Sequence, residues 1–305
     1  MLLRLHLSPP LPPLPPPPRK PSQNPKPNRT SISLPVLSSP IPSSSSSSSS
    51  TDAGLLFREK LLFLSNDLNL DTSRALSLNP SLRSAPLSSL LSSFSLLLSF
   101  GLLPSDATRV FSFYPHLLTS DPSPVFHFLL GPADIPFPDL RLAVVRCPRL
   151  LVSPVESQLL PALYFLRRLG FVGRHRITAN TSLLLVSSVE RTLIPKLEFL
   201  QGLGFSSRET RSMVLRSPGL LTFSIEKNFR PKVEFLVGEM GREVAELKEF
   251  PQYFSFSLEG RIKPRHRMLK ESGCEMSLAK MLRISDGEFR DRLMEMRLAV
   301  LDRKL

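Results

Sequence analysis

The sequence predicts an all-α fold, an α-solenoid made of stacked helical repeats of about 34 residues. Two observations predict it. A proline-led phrase recurs at this period, and each copy is followed by an apolar stretch with helical spacing that ends in glycine. Two short helices are expected in each repeat. They cannot bury their apolar faces alone, so neighbouring repeats must stack into one continuous core.

The N-terminal segment, residues 1–52, has the composition of a disordered transit peptide for an organelle. Its first 51 residues contain 14 prolines, 14 serines and five bases, and Asp52 is the first acid of the chain. The prolines forbid the arginine-bearing amphipathic helix of a mitochondrial presequence, so we expect a chloroplast address, with the mitochondrion as the alternative. A disordered tail without an address is the remaining interpretation.

Residues 53–140 are expected to form divergent N-terminal repeats, because only the first proline of the phrase is retained there, at Pro80 and Pro115. The uncharged stretch from Ser84 to Ser105 is long enough to span a bilayer. Its eight serines and its retained repeat register favour buried solenoid helices, so the sequence argues against membrane association.

The well-matched repeats occupy residues 141–284. Each has a first proline, two or three apolar residues, a serine, and a second proline thirteen residues after the first. A proline inside a helix costs on the order of 3 kcal/mol or kinks the helix, so its recurrence predicts a bend in every repeat. The pairs are Pro148 with Pro161, Pro218 with Pro231 and Pro251 with Pro264, and Ser182 replaces the first proline before Pro195.

Glycines and capping residues mark the predicted helix ends. Ser206 and Glu209 have the spacing of a capping box for a second helix that Pro218 stops, and Ser224 is a candidate N-cap. Residues 285–305 are expected to form a C-terminal capping helix. The first helix of a repeat is expected to end at a left-handed glycine. These glycines are Gly101, Gly170, Gly204, Gly241 and Gly273.

Charge favours a polyanionic partner such as nucleic acid, because 39 Lys and Arg against 26 Asp and Glu give a net charge of +13. Residues 52–140 have a net charge of −3, whereas residues 141–305 have +11, so we expect the contact surface in the C-terminal half.

A base stands beside the second proline in three repeats, at Lys196, Lys232 and Arg265. Such a ladder of cations can track a phosphate backbone without reading sequence. The alternative is that these bases only solvate an outer helix face, some of them paired with Glu198, Glu234 or Glu271. The full set of candidate nucleic-acid contacts is Arg146, Arg149, Lys196, Arg216, Arg230, Lys232, Lys263, Arg265, Arg267 and Lys270, densest between Arg261 and Lys270.

The repeat phrases resemble those of the mitochondrial transcription termination factor (mTERF) family, most closely at Pro148 to Phe171 and at Pro195 to Pro231. The resemblance covers roughly residues 80–275. It implies a curved, right-handed solenoid whose basic groove binds organellar double-stranded DNA or structured RNA. It also implies a role in transcription termination, transcript maturation or intron splicing in a plastid or mitochondrion.

Catalytic signatures are absent from the sequence. No P-loop, HExxH, GxSxG or dinucleotide fingerprint occurs, and the five histidines and two cysteines have no metal-binding spacing. We therefore expect no enzyme, metal, cofactor or small-molecule substrate. Phe165, Phe199 and Phe235 fall in the apolar stripe and are assigned to the core rather than to base stacking. The alternative function is a non-catalytic scaffold that binds a protein partner.

Overall fold

The computed structural model describes the backbone of residues 49–302 and the side chains of residues 54–299. Residues 1–48, which are most of the predicted transit peptide, and residues 303–305 lie outside the described part. Within that part the chain is helical and has no β-strand, which confirms the all-α prediction. The α-helices of the described residues are α1 (Ser49–Leu62), α2 (Thr72–Leu78), α3 (Leu87–Ser99), α4 (Pro104–Phe113), α5 (Ser123–Leu130), α6 (Phe137–Arg146), α7 (Leu160–Leu169), α8 (Ile194–Gly202), α9 (Ser207–Arg216), α10 (Arg230–Glu234), α11 (Glu246–Glu249), α12 (Lys263–Glu271), α13 (Leu278–Arg283) and α14 (Asp286–Asp302).

Each predicted repeat begins with a 3-10 turn at the position of its first proline. The residue before the proline has a non-helical backbone, as at Cys147 with φ −137° and ψ 75°, because the proline ring disfavours helical backbone there. Ser182 begins the same turn without a proline, so the degenerate repeat keeps the register. The turns define repeats 1 to 6: Pro80–Arg83, Pro115–Thr119, Pro148–Val152, Ser182–Val186, Pro218–Thr222 and Pro251–Ser255.

A π turn precedes the second proline in repeats 3 to 6. In repeat 3 the N–H of Leu159 donates to the carbonyl of Pro154, five residues earlier, at 3.2 Å, and Pro161 follows. Proline has no N–H, and its ring would collide with a carbonyl four residues back, so a wider turn fits here. Repeats 1 and 2 lack the second proline, and no π turn precedes α3 or α5. The predicted bend is therefore a π turn, at Val155–Leu159, Val189–Leu193, Ile225–Phe229 and Leu258–Ile262.

Glycine and serine caps end and begin the helices as predicted. All five predicted glycines have positive φ, from 61° at Gly273 to 109° at Gly170. A side chain at Gly170 would also meet Leu215 of α9 at 3.0 Å, so this position has both a conformational and a packing reason for glycine. Ser224 accepts a hydrogen bond from the N–H of Lys227, which confirms it as an N-cap.

The second helix of the repeat is not always present. Helices α4, α6 and α9 have 10 residues each, but α11 has only four, and repeat 3 has no second α-helix. Residues 170–181 instead form a loop with one 3-10 turn, Gly173–His175. Gly173 has φ 55°, and the N–H of Thr178 donates to Oγ1 of Thr181 at 2.9 Å, so turn contacts replace helical ones. The expectation of two helices in every repeat is wrong for repeat 3.

The repeats share one hydrophobic core whose buried side chains run from Phe63 to Leu293. The first turns of repeats 1 and 2, of repeats 3 and 4, and of repeats 5 and 6 contact each other. Helix α14 buries Phe289 and Leu293 against repeat 6 and so covers the end of the core. Phe165, Phe199 and Phe235 pack against this core, as predicted.

The uncharged stretch from Ser84 to Ser105 forms α3 and the start of α4. Among the described residues, no helix combines the length and the apolar character that crossing a bilayer requires.

Candidate nucleic-acid interface

The three cations predicted as a phosphate-tracking ladder are buried. Lys196, Lys232 and Arg265 keep only 8%, 6% and 2% of their surface exposed. They occupy equivalent places in their repeats, but their charged groups face the protein interior rather than solvent. A phosphate outside the protein does not meet these groups, so we remove all three residues from the candidate interface.

Helical spacing explains why they are buried. Lys196 lies three residues after Leu193 and four before Leu200, and both leucines are fully buried. It therefore belongs to the apolar stripe of its helix rather than to the exposed face. This signal was present in the sequence. The same spacing places Lys232 between Phe229 and Leu236, and Arg265 between Ile262 and Leu269.

Each buried lysine satisfies a backbone carbonyl of the next repeat. Nζ of Lys232 donates to the carbonyl of Phe254 at 2.6 Å, and Nζ of Lys196 donates to the carbonyl of Leu221. Both carbonyls lie three residues after the start of a first turn. Burial lowers the pKa of Lys196 and lowers the pKa of Lys232 to about 8, because the ammonium loses its hydration.

Two other repeats use different donors for the same carbonyl, and Lys60 of α1 bonds the equivalent carbonyl of repeat 1; we call this contact the inter-repeat clamp. The donor is a lysine, a serine or a glutamine, whereas the acceptor is always the carbonyl at the same position of the first turn. The clamp is thus a feature of how repeats stack. The further pairs are Lys60 with the carbonyl of Arg83 at 2.6 Å, Ser93 with that of Leu118 at 3.1 Å, and Gln158 with that of Leu185 at 3.2 Å.

Arg265 fastens the C-terminal end of the protein. Its Nη1 donates to the carbonyls of Met281 at 2.6 Å and Ile284 at 3.0 Å, and its Nη2 donates to the carboxylate of Asp286. The guanidinium carbon also lies 4.8 Å from the ring centroid of Phe289. One buried side chain therefore joins repeat 6 to α14.

The candidates beside the first prolines are exposed. Arg146 at the end of α6 donates to the side chain of Asn180, and Arg216 at the end of α9 donates to the carbonyl of Lys248. Arg149 is exposed as well. A guanidinium has five donor hydrogens, so both bonded arginines keep donors for a phosphate. These three residues remain candidate contacts.

Arg230 and Lys263 form ion pairs across one helical turn, as the solvated-face alternative predicts. Arg230 makes two hydrogen bonds to the carboxylate of Glu226, at 2.9 and 3.0 Å, and Lys263 pairs with Glu259. Such exposed pairs are weak and can open for a phosphate. Among the described side chains, the expected partners Glu198, Glu234 and Glu271 form no ion pair.

Positive charge is concentrated in the middle of the chain. Residues 141–216 contain 12 bases and four acids, a net charge of +8, whereas residues 217–305 contain 17 bases and 14 acids, a net charge of +3. The predicted dense cluster from Arg261 to Lys270 contributes less than its sequence suggests. Of its Lys and Arg residues, Arg267 and Lys270 alone are exposed without an ion pair among the described side chains.

Several exposed arginines of this middle segment were missed by sequence reasoning. They lie on α7, in the loop that follows it and on α9. Among the described side chains, only one of them forms an ion pair, Arg176 with Asp134 at 3.2 Å. Counting the net charge of each repeat separately would have identified this segment from the sequence. The missed arginines are Arg167, Arg168, Arg174, Arg176, Arg208 and Arg211.

Comparison with known proteins gives one family and several related sequences. The mTERF family model matches residues 137–290, about half of the chain. Transcription termination factor MTERF4, chloroplastic, of Arabidopsis thaliana is 35% identical over 85 residues, which are 28% of this chain and 16% of that protein. The protein of the same name from Oryza sativa subsp. japonica is 44% identical over 55 residues, 18% of this chain and 11% of that protein. Transcription termination factor MTERF2, chloroplastic, of Arabidopsis thaliana is 44% identical over 54 residues, which are 18% of this chain and 8% of that protein.

The matched segments cover no more than 16% of the length of these three relatives. All three are named as chloroplastic proteins, which agrees with the chloroplast address predicted from the leader rather than with the mitochondrial alternative.

Proposed function

The chain belongs to the mTERF family, and we propose that it is a non-catalytic regulator of chloroplast gene expression that binds nucleic acid. The proposed ligand is double-stranded DNA or structured RNA of the organelle. The proposed process is transcription termination or transcript processing, and the names of the relatives as chloroplastic transcription termination factors support it.

One observation carries the proposal. Residues 141–216 have a net charge of +8, and most of the exposed arginines found there lack an acidic partner among the described side chains. Arginine binds phosphate oxygens through two parallel hydrogen bonds and is always charged. A surface of this kind neutralises phosphates and releases counterions, so it binds nucleic acid without reading sequence.

We also propose that the repeats stack into a curved, right-handed solenoid with this basic surface along its groove. The inter-repeat clamps support a regular stack, because a donor in one repeat bonds the equivalent carbonyl of the next at four of the five junctions between repeats.

A filter-binding titration of the full chain tests the proposed function. The probes are plastid duplex DNA, a structured RNA and a single-stranded oligonucleotide, each titrated between 50 and 200 mM salt. We expect binding to at least one of them, with affinity falling by roughly 10³-fold across this range if about six phosphates are contacted.

Failure to bind any probe at the lowest salt concentration would overturn the proposal. If the chain instead bound a protein partner with an affinity independent of salt, the scaffold function would take its place.

A further inference from the structure

The exposed face of α7 combines an aromatic ring with two arginines. Tyr164 is 59% exposed, and Arg167 and Arg168 follow it at three and four residues, so the three side chains stand next to each other on one face. The opposite face of the helix buries Ala162, Leu163 and Leu166 in the core. The ring therefore stands on a helix whose other side is packed into the core.

No other repeat presents this combination. Four repeats have a second proline. In repeat 3 it is Pro161, and Tyr164, Arg167 and Arg168 follow it by three, six and seven residues. Repeats 4 and 5 have a glutamate at the tyrosine position and no base at the other two, and repeat 6 has bases without an aromatic ring. The equivalent residues are Glu198, Gln201 and Gly202, then Glu234, Val237 and Gly238, then Arg267, Lys270 and Glu271.

The loop after α7 extends the same surface. Because repeat 3 has no second α-helix, residues 170–181 leave Val172, Arg174 and Arg176 exposed, and Val172 keeps 54% of its surface in solvent. A shallow groove of about 510 Å³ is lined by Arg167 and Arg176 together with Val172 and Gly173.

The acids near this surface are few. Asp134 lines the groove and pairs with Arg176 at 3.2 Å, while Arg167 donates to the carbonyl of Pro132. Arg168 has no ion pair among the described side chains. Most of the positive charge beside Tyr164 is therefore available to an anion.

We propose that Tyr164, Arg167 and Arg168, with Arg176 across the groove from Arg167, form a site for an unpaired nucleotide of a nucleic acid. The base stacks on the ring of Tyr164, and the arginines bind the phosphates on either side. Base stacking on an exposed aromatic ring requires a base outside a duplex, as in a single strand, a loop or a bulge. The inference rests on the proposed function and narrows its ligand to nucleic acid with unpaired bases.

Affinities of the full chain for three probes of equal length test this site: a single-stranded RNA, the same backbone with abasic positions, and a duplex. Tyr164→Ala is expected to weaken binding of the single-stranded RNA by roughly 5- to 150-fold, the range for one stacked base. Binding of the abasic and duplex probes is expected to be unchanged. Tyr164→Phe should restore most of the affinity, because phenylalanine keeps the ring.

The matched control is Phe113→Ala, which removes an aromatic side chain of similar exposure, 57%, from α4. It is expected to leave all three affinities unchanged. The double substitution Arg167→Gln and Arg168→Gln should lower the affinity for every probe that the parent chain binds. In the single-strand titration it should reduce the slope against salt by about 1.4, since each phosphate contact contributes about 0.7.

Tyrosine fluorescence gives an independent measurement, because the chain has no tryptophan and three tyrosines. Tyr253 is buried and Tyr114 is half-buried, so Tyr164 is the tyrosine whose fluorescence a stacked base quenches. The single-stranded probe should therefore quench tyrosine fluorescence more than the abasic probe does in the parent chain, and this difference should disappear in Tyr164→Phe. If the parent chain binds RNA and Tyr164→Ala binds it equally well, the site is wrong while the proposed function stands. If the parent chain binds no probe, the proposed function itself fails.

Discussion

Arg265 joins the last repeat to α14 through a side chain that is 2% exposed. Replacing it with methionine removes the donor to the carbonyl of Met281, whereas the carbonyl of Ile284 keeps a bond from Arg261. A buried carbonyl without a partner costs about 1–3 kcal/mol. We therefore expect Arg265→Met to lower the free energy of unfolding by about 1–3 kcal/mol, measured by urea denaturation.

Arg267→Met is the matched control, because Arg267 lies on the same helix and is exposed. A surface substitution of this kind changes stability by about 0.5 kcal/mol or less. Equal losses of stability in the two variants would show that the buried guanidinium contributes nothing specific.

Lys232 predicts a pH dependence of stability. Burial lowers its pKa in the folded protein to about 8, from an ordinary value of 10.5. Between these two values the unfolded chain binds more protons than the folded one, so this group makes stability rise as pH increases from about 8 to 10.5. Urea unfolding of the parent chain and of Lys232→Met at pH 7.5, 9 and 10.5 should show a larger rise in the parent than in the variant, which keeps the contribution of the lowered pKa of Lys196. Parallel pH profiles would contradict it.

Position along the sequence predicted where such cations stand in the repeat but not which way they point. The second proline drew attention to Lys196 and Lys232 as equivalent residues, and both bond the equivalent carbonyl of the next repeat. Their direction depends on the buried residues three before and four after, a relation that the proline pattern does not contain. Tyr164 was missed for the converse reason, because it adjoins the core residue Phe165 in sequence but is turned about 100° away from it around the helix axis and is exposed.

At the scale of the element, a capping box fixes the start of α9. The N–H of Ser206 donates to the carboxylate of Glu209 at 3.0 Å, and the N–H of Glu209 donates to Oγ of Ser206 at 3.3 Å. Ser206→Ala should therefore lower the free energy of unfolding by about 1 kcal/mol.

The carboxylate of Glu209 makes the stabilisation by this cap depend on pH in the acid range. Its bonds to Ser206 and to Lys248 lower its pKa from 4.5 to about 2. Because the folded-state pKa is depressed, the stabilisation is present above pH 4.5 and is lost as pH falls towards 2. Acid titration of unfolding should show a smaller loss in Glu209→Gln than in the parent chain. An identical acid profile would mean that the cap does not depend on the charge.

Turns, caps and glycines could be predicted because each depends on a local backbone preference. Proline, a left-handed glycine and a serine N-cap carry their own conformational reasons, and five repeats keep a first proline at the start of a 3-10 turn. The second helix depends instead on packing against its neighbours. The sequence between Gly170 and Ser182 has no strong helix signal, and Gly173 with its positive φ favours a turn. A rule taken from repeat 4 therefore failed in repeat 3.

At the scale of the whole molecule, the sign and amount of charge were evident from composition, but its location was not. The C-terminal half was expected to bind, with its strongest point between Arg261 and Lys270. Folding buries Arg265 and pairs Lys263 with Glu259, which leaves the middle repeats as the more basic exposed surface. Composition counts every charge equally, whereas a phosphate meets only those that are exposed and unpaired.

Two double variants with the same net charge test whether binding depends on where the positive charge lies or only on its total. Arg208→Gln with Arg211→Gln removes two exposed cations from α9 in the middle segment, and Arg290→Gln with Arg297→Gln removes two exposed cations from α14. Each pair lowers the net charge of +13 by two. If nucleic acid lies on the middle repeats, the α9 pair should reduce the slope of log affinity against log salt by about 1.4–1.8, whereas the α14 pair should leave it unchanged. Equal reductions would mean that binding follows the overall charge of the protein and that the basic middle segment has no special role.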